Sequence, residues 1–181
     1  MANLETATLG GGCFWCLEAV YQEMEGIESI VSGYMGGHVE NPTYKQVCTA
    51  RTGHAEVAQL KFDASVTTFR DVLEVFFTIH DPTTKDRQGN DVGSQYRSVI
   101  FFHTSEQQSE AEKIIADLTH EDAFPSAIVT EVVPAVTFYP AEDSHQNYYA
   151  DNSKQPYCMF VVSPKLKKFR ENFKAKRRVT T

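Results

Sequence analysis

From residue 55 the chain alternates between apolar and polar positions for nine residues. Glu56, Ala58, Leu60 and Phe62 share one face, and Val57, Gln59, Lys61 and Asp63 share the other. This period of two predicts a strand over 55–63 whose first face is apolar and headed by Glu56. A carboxyl aimed at a core is costly unless it is protonated or partnered, so its pKa is expected to move upward. The competing reading is that the strand end frays and Glu56 reaches water. Next, Phe69, Val72, Leu73, Phe76, Phe77 and His80 recur at helical spacing. They predict a helix over 68–80, ended by Asp81-Pro82, with His80 as a satisfied core residue.

The other elements follow from shorter patterns. Residues 6–9 predict a first strand, 13–24 a helix stopped by Gly26, and 27–35 a strand ended by Gly36-Gly37. The stretch 85–97 is a long polar loop, a length that in a compact domain points to function. A strand is predicted over 98–103. A helix capped by Ser105 with Gln108 follows, burying Ala111, Ile114, Ile115 and Leu118. After a strand over 128–133 the chain is aromatic and irregular to Met159, except for a helical turn near 144–149. A last helix starts near Pro164. Strands and helices mix without strict alternation, which predicts an α+β two-layer sandwich, a mixed sheet with helices largely on one face. No repeat or linker divides the 181 residues, so 1–181 reads as one domain.

Charge adds one feature. The net charge of −7 argues against general nucleic-acid binding. From Lys165 onward, eight basic residues stand against the single acid Glu171, so this tail carries about +7 and the remainder about −14. The tail reads as a solvated terminal helix with a frayed basic end, the alternative being contact with a polyanion or partner. The first residues show no basic-then-apolar leader, and no apolar run is long enough to span a membrane. Four cysteines do not make a disulfide scaffold. Together these predict a cytoplasmic protein with free thiols.

The chemistry concentrates in Gly10-Gly11-Gly12-Cys13-Phe14-Trp15-Cys16. A thiol opening a helix meets unpaired backbone N–H groups and the positive end of the macrodipole, which favour thiolate. The glycines would admit a substrate close to the backbone, and Phe14 and Trp15 would give the sulfur an apolar wall. On these residues alone, redox chemistry, half of a zinc site and a purely structural role all remain open.

Four motifs in order change that. Gly12-Cys13-Phe14-Trp15, Gly33-Tyr34-Met35-Gly36-Gly37, Thr52-Gly53-His54-Ala55-Glu56 and Asp91-Val92-Gly93-Ser94-Gln95-Tyr96-Arg97 resemble peptide methionine sulfoxide reductase A, over nearly the whole chain. The resemblance implies the family's fold, a central mixed sheet with packed helices on a ferredoxin-like core. It implies reduction of the S-epimer of methionine sulfoxide, free or in proteins, as antioxidant repair. No prosthetic group or metal is implied; thioredoxin, or dithiothreitol in its place, is the reductant. The expected partners are thioredoxin and oxidised proteins, without nucleic acid or membrane, and the chain is expected to be a monomer.

Carried onto this chain, the family pattern makes Cys13 the nucleophile and Glu56 the acid, with Tyr44, Tyr96 and Asp91 around the sulfoxide oxygen. Phe14 and Trp15 enclose the S-methyl group. The family draws its resolving cysteine from the C-terminal region, which here means Cys158 in an irregular stretch able to swing toward Cys13. Cys16, three residues from Cys13, is the alternative resolver. Cys48 is expected in the core, His54 at the turn before the Glu56 strand, and His145 and Asn147 at the site mouth. Two rivals stand beside this reading. One is a thioredoxin-like dithiol exchanger using Cys13 and Cys16. The other is a zinc-stabilised binding module, for which the cysteine spacing is weak.

Overall fold

A computed structural model describes residues 1–179. β1 (Leu4–Gly10) leads into α1 (Phe14–Tyr21), then β2 (Ile27–Met35), the single-turn α2 (Tyr44–Val47), β3 (Ala55–Asp63) and α3 (Phe69–Ile79). A small hairpin, β4 (Arg87–Gln88) and β5 (Asp91–Val92), precedes β6 (Val99–Phe102), α4 (Ser105–His120), β7 (Glu131–Pro134) and β8 (Tyr139–Pro140). The chain ends with α5 (Tyr148–Asn152), a π-helical turn over Cys158–Val162, and α6 (Ser163–Asn172).

The main sheet has the order β7-β6-β1-β3-β2-β8. β3 lies antiparallel between β1 and β2, and β6 runs antiparallel to β1 on its other side. With α1 and α3 as crossovers, these four strands form a ferredoxin-like core. β7 extends it in parallel and β8 closes the β2 edge. One face of the sheet packs Leu9, Ala58, Leu60 and Phe62 against Leu17, Val20, Phe76, Ile114 and Phe169 from the helices. The opposite face is smaller, with Met35, Val57, Val99 and Phe101 covered by Val133, Ala135 and Phe138. The result is the two-layer α+β sandwich with a mixed sheet. Among the described residues, no helix is long and apolar enough to cross a membrane.

Local sequence explains the elements that place the site. Thr68 caps α3 by a reciprocal box with Asp71, and seven of its eleven residues are buried. His80 ends that helix; its Nε2 lies 2.8 Å from Ser98 Oγ, and burial pulls its pKa down to about 4. α1 is buried on every side except at Trp15, so neighbours hold it rather than one amphipathic stripe. The glycines before it act differently from expectation. A Cβ on Gly12, whose φ is +90°, would lie 2.6 Å from Gln88 Cγ, and one on Gly11 would meet Phe76 at 2.9 Å. The space they free is filled by this chain's own α3 and β4, not left open to substrate.

Other departures are local. The cap of α4 is Thr104, which accepts from the Gln107 amide, one residue before the predicted Ser105. The Gln107 side chain takes the tertiary role, donating to the Thr6 carbonyl at 2.8 Å. β7 begins at Glu131, three residues later than predicted. The 85–97 loop contains the β4–β5 hairpin. The basic tail is docked rather than frayed as far as it is described. Arg170 pairs with Glu23, Lys176 with Asp71, and the Arg178 amide donates to the Glu23 carbonyl at 2.7 Å. Acids of α3 and of the α1–β2 turn thus pair with two of its eight basic residues.

Gly12→Ala is expected to lower the unfolding free energy by more than about 1 kcal/mol, read from the urea midpoint. Adding Gln88→Ala should recover only part of the loss, because it removes the Cγ contact but leaves the Cβ at 2.9 Å and the left-handed φ.

Candidate active site

The site forms where β1 ends and α1 begins. Cys13 is the N-cap of α1, in extended conformation and 6% exposed. The next amide, that of Phe14, donates to Glu56 Oε1 at 3.2 Å. Glu56 stands on β3 opposite Tyr34 of β2, one strand from β1. It is 1% exposed, and among the described residues its Oε2 has no hydrogen-bond partner. Burial pushes its pKa up to about 8; the Phe14 amide opposes the shift and Asp91 adds to it. At neutral pH Glu56 is therefore mainly a protonated acid, and the strand end does not fray.

Cys13 does not rest as the thiolate its helix-terminal position suggested. Burial holds its thiol well above the ordinary range, and the nearby Glu56 and Cys16 reinforce this. The Trp15 amide and the Tyr157 hydroxyl pull the other way. As the N-cap, Cys13 meets few free amides, and these do not offset a dry site shared with a carboxyl.

The other polar groups arrive from separate loops. Tyr44 opens α2, which Thr43 and Gln46 cap reciprocally. Its amide donates to both carboxylate oxygens of Glu142, each at 3.2 Å. Tyr96 lies in a short 3-10 turn after Gly93, whose φ is +142°. Burial first, and Glu56 second, hold the Tyr44 and Tyr96 hydroxyls well above the usual phenol range, so both are neutral donors. Asp91 on β5 accepts from the Tyr157 hydroxyl at 2.6 Å. Two residues pin the motifs together. His54 accepts from the Gly37 amide at Nδ1 (3.0 Å) and places Nε2 2.7 Å from the Val39 carbonyl. Arg97 donates to the Gly53 carbonyl at 3.0 Å and pairs with Glu131.

An aromatic wall flanks these groups. The Phe14 ring is fully buried, 5.7 Å from Tyr34 and 6.3 Å from Tyr44. Trp15 stacks on Tyr148 at 3.6 Å and meets Tyr157 edge-on at 5.6 Å. His145 stands between them, 4.1 Å from Tyr44 and 5.8 Å from Trp15. Trp15 Nε1 donates to His145 Nδ1 at 3.3 Å. Burial lowers the histidine's pKa, so the ring is neutral with its proton on Nε2. A surface groove lined by Asn3, Arg70, Gln107 and Glu110 touches none of these residues.

Sequence reasoning did not find Tyr157 or Tyr148, and it kept His145 and Asn147 outside the reacting groups. The only signal was aromatic density beside Cys158. The three cysteines of the site belong to one cluster, with Cys16 1% and Cys158 0% exposed. Burial pushes the Cys16 thiol up to about 11. Cys158 starts the π-helical turn that continues into α6, so the expected irregular stretch is helical there. Cys48 is exposed beside Tyr44 rather than in the core, because α2 is one turn long and buries only Val47. Among the described residues no three His, Cys, Asp or Glu side chains converge as metal ligands would.

Comparison with known proteins gives a consistent result. A family model described as peptide methionine sulfoxide reductase matches residues 5–177. The protein named peptide methionine sulfoxide reductase MsrA from Polynucleobacter asymbioticus is 54% identical over 175 residues, covering 97% of this chain and 92% of that one. The crystal structure of Mxr1 from Saccharomyces cerevisiae in reduced form superposes with a TM-score of 0.80 at 35% identity, covering 86% of this chain and 89% of that one. The structure of Mxr1 in complex with Trx2 superposes at 0.57 with 27% identity, covering 80% and 84%.

The raised pKa of Glu56 has a direct readout. In 13C-carboxyl NMR one glutamate should titrate near pH 8 rather than in the usual carboxylate range, and Glu56→Gln should remove that signal. The folded-state value lies above the unfolded one. The associated stability is therefore full below about 4.5 and is lost as pH rises through about 8.

Proposed function

The chain belongs to the peptide methionine sulfoxide reductase family, and we propose that it reduces the S-epimer of methionine sulfoxide through Cys13 as nucleophile and Glu56 as acid. The observation that carries this reading is the Glu56 carboxyl. It is neutral up to about pH 8, has an unpartnered buried oxygen, and is anchored to the amide next to Cys13. A sulfoxide sulfur is a poor electrophile until its oxygen is protonated or strongly hydrogen-bonded, so the reaction needs an acid that keeps its proton at neutral pH. The neutral hydroxyls of Tyr44 and Tyr96 share the oxygen. Asp91 acts through Tyr157, holding that hydroxyl beside the thiols. Phe14 and Trp15 enclose the S-methyl group.

The steps balance. Glu56 gives its proton to the sulfoxide oxygen as Cys13 attacks the sulfur, and the Cys13 thiol proton returns to the Glu56 carboxylate. Oxygen passes to Cys13, leaving a sulfenic acid and releasing the methionine thioether. The Cys158 thiol condenses with the sulfenic acid, forming a Cys13–Cys158 disulfide and one water. A thioredoxin dithiol then reduces the disulfide and leaves as its own disulfide. The yeast relative solved with Trx2 supports thioredoxin as reductant. Cys16 is the alternative resolver, its amide donating to the Cys13 carbonyl within the first helical turn. The reading treats residues 1–181 as one monomeric cytoplasmic reductase domain that repairs free and protein-bound methionine sulfoxide without a prosthetic group.

With dithiothreitol, the wild type should reduce the S form of a methionine sulfoxide peptide and leave the R form. Cys13→Ser should lose at least about 10³ in kcat/KM. Glu56→Gln should lose about 10² to 10⁴ and flatten the fall in activity that the wild type shows as pH rises through 8. Cys158→Ser should turn over with dithiothreitol and stop with thioredoxin; continued turnover with thioredoxin makes Cys16 the resolver. Reduction of neither epimer by the wild type overturns the substrate reading.

A further inference from the structure

One buried carboxylate takes no part in these steps. Glu18 lies in the middle of α1 and is 1% exposed. A carboxylate inside an apolar helix is costly to bury, so its partners indicate what it does there. Its Oε2 accepts from Ser32 Oγ at 3.3 Å, and its Oε1 accepts from the Tyr148 amide at 3.2 Å. Burial raises its pKa, while hydrogen bonds from the Asn147 and Tyr148 amides and from Ser32 oppose the shift. Asn147 holds a left-handed φ of 53°, turning the chain so that both amides face the carboxylate.

Related contacts fasten the same segment. Gln22, one turn along α1, donates to Asn147 Oδ1 at 2.6 Å, and the Gln146 side chain bridges the Ser32 amide and carbonyl. Among the described residues, Glu18 alone grips the amide of the residue whose ring covers Trp15. That ring, Tyr148, lies 3.6 Å from Trp15 with a 7° interplanar angle, and His145 three residues earlier accepts the Trp15 N–H. Phe14 and Trp15 come from the first turn of the helix that carries Glu18. One short helix therefore supplies the Phe14–Trp15 wall and, through its carboxylate, fixes the ring that backs Trp15.

We propose that Glu18 is a positioning residue that sets the orientation of the Trp15 wall, by fixing the Asn147–Tyr148 backbone and thereby holding Tyr148 and His145 against the indole. The inference rests on the reading of Phe14 and Trp15 as the wall around the sulfoxide's alkyl group. A wall held in that orientation should favour an S-methyl over an S-ethyl group by tenfold or more, roughly the effect of one methylene in a close-fitting site.

The test compares wild type, Glu18→Ala, Glu18→Gln, Tyr148→Ala, Trp15→Ala and the Glu18→Ala/Tyr148→Ala double variant, all as the full chain with dithiothreitol. S-epimers of methionine sulfoxide and ethionine sulfoxide are the substrates. Trp15 is the only tryptophan, so its emission reports directly on the stack. Glu18→Ala should raise KM for the methyl substrate about tenfold with kcat within about twofold, and reduce the methyl-over-ethyl preference to about twofold. Its Trp15 emission should shift to the red, with Glu18→Gln intermediate because one acceptor oxygen remains. The double variant should match Tyr148→Ala, since both act on one ring. If Glu18→Ala does not fold, Glu18→Gln carries the same comparison. Unchanged selectivity and emission in the Glu18 variants, while Tyr148→Ala alters both, overturns the proposal and leaves the pocket reading standing. Unchanged selectivity in Tyr148→Ala also overturns the proposal, whereas unchanged selectivity in Trp15→Ala overturns the reading of Trp15 as the wall.

Discussion

The hydrogen bond from the Phe14 amide to the buried Glu56 carboxyl is the contact on which the site turns. It joins the start of α1 to the middle strand of the ferredoxin-like core and fixes Cys13 relative to the carboxyl. It also opposes burial without cancelling it, leaving Glu56 with a pKa of about 8 rather than fully neutral at every pH. A second amide on Oε2 would lower that value toward the ordinary carboxylate range. Burial is thus the source of the retained proton the proposed reaction uses, and the unpartnered oxygen leaves that shift in place.

The surroundings of that bond are assembled from distant segments by a few polar pins. His54 ties the Gly36-Gly37 turn to β3, Arg97 ties the Asp91–Tyr96 loop to Gly53 and β7, and Glu142 gathers Tyr34 and the Tyr44 amide. Each pin lets a loop carry a reacting group without a long element of its own. The groups around the Cys13 sulfur are buried and keep their protons. Cys13, Cys16 and Glu56 are all buried and all hold their protons more tightly than in water.

Much of this was legible in the sequence where one face repeats. The alternation over 55–63 located β3 and turned Glu56 inward. The helical spacing of Phe69 to His80 placed α3 to within a residue. What was not legible depended on contacts between segments far apart. Nothing local in Gly11-Gly12 says that Phe76 and Gln88 will fill the space beside them. Nothing in the 135–162 stretch has a period, so the roles of Tyr148 and Tyr157 emerge only when α5 and the π-helical turn fold over α1. The thiolate expectation for Cys13 failed for a similar reason. A position in a helix is readable from sequence, but the burial that outweighs it is not. The basic tail looked frayed because its acidic partners, Glu23 and Asp71, lie more than a hundred residues away.

The fully buried state of Cys158 places a demand on the proposed cycle. Thiol–disulfide exchange needs an attacking thiolate to reach a disulfide sulfur in line, which a wholly buried residue does not permit. Cys158 sits at the first residue of a π-helical turn, a geometry with poorer backbone packing than an α-helix. Of this turn, Met159 and Phe160 are exposed while Cys158 and Val162 are buried, so unwinding it gives up the burial of those two. α6 beyond it is anchored by Leu166 and Phe169, and the segment before it by Tyr157 on Asp91. The π-helical turn is therefore the part of the chain where a new covalent bond to Cys13 can be accommodated while the core helices stay in place.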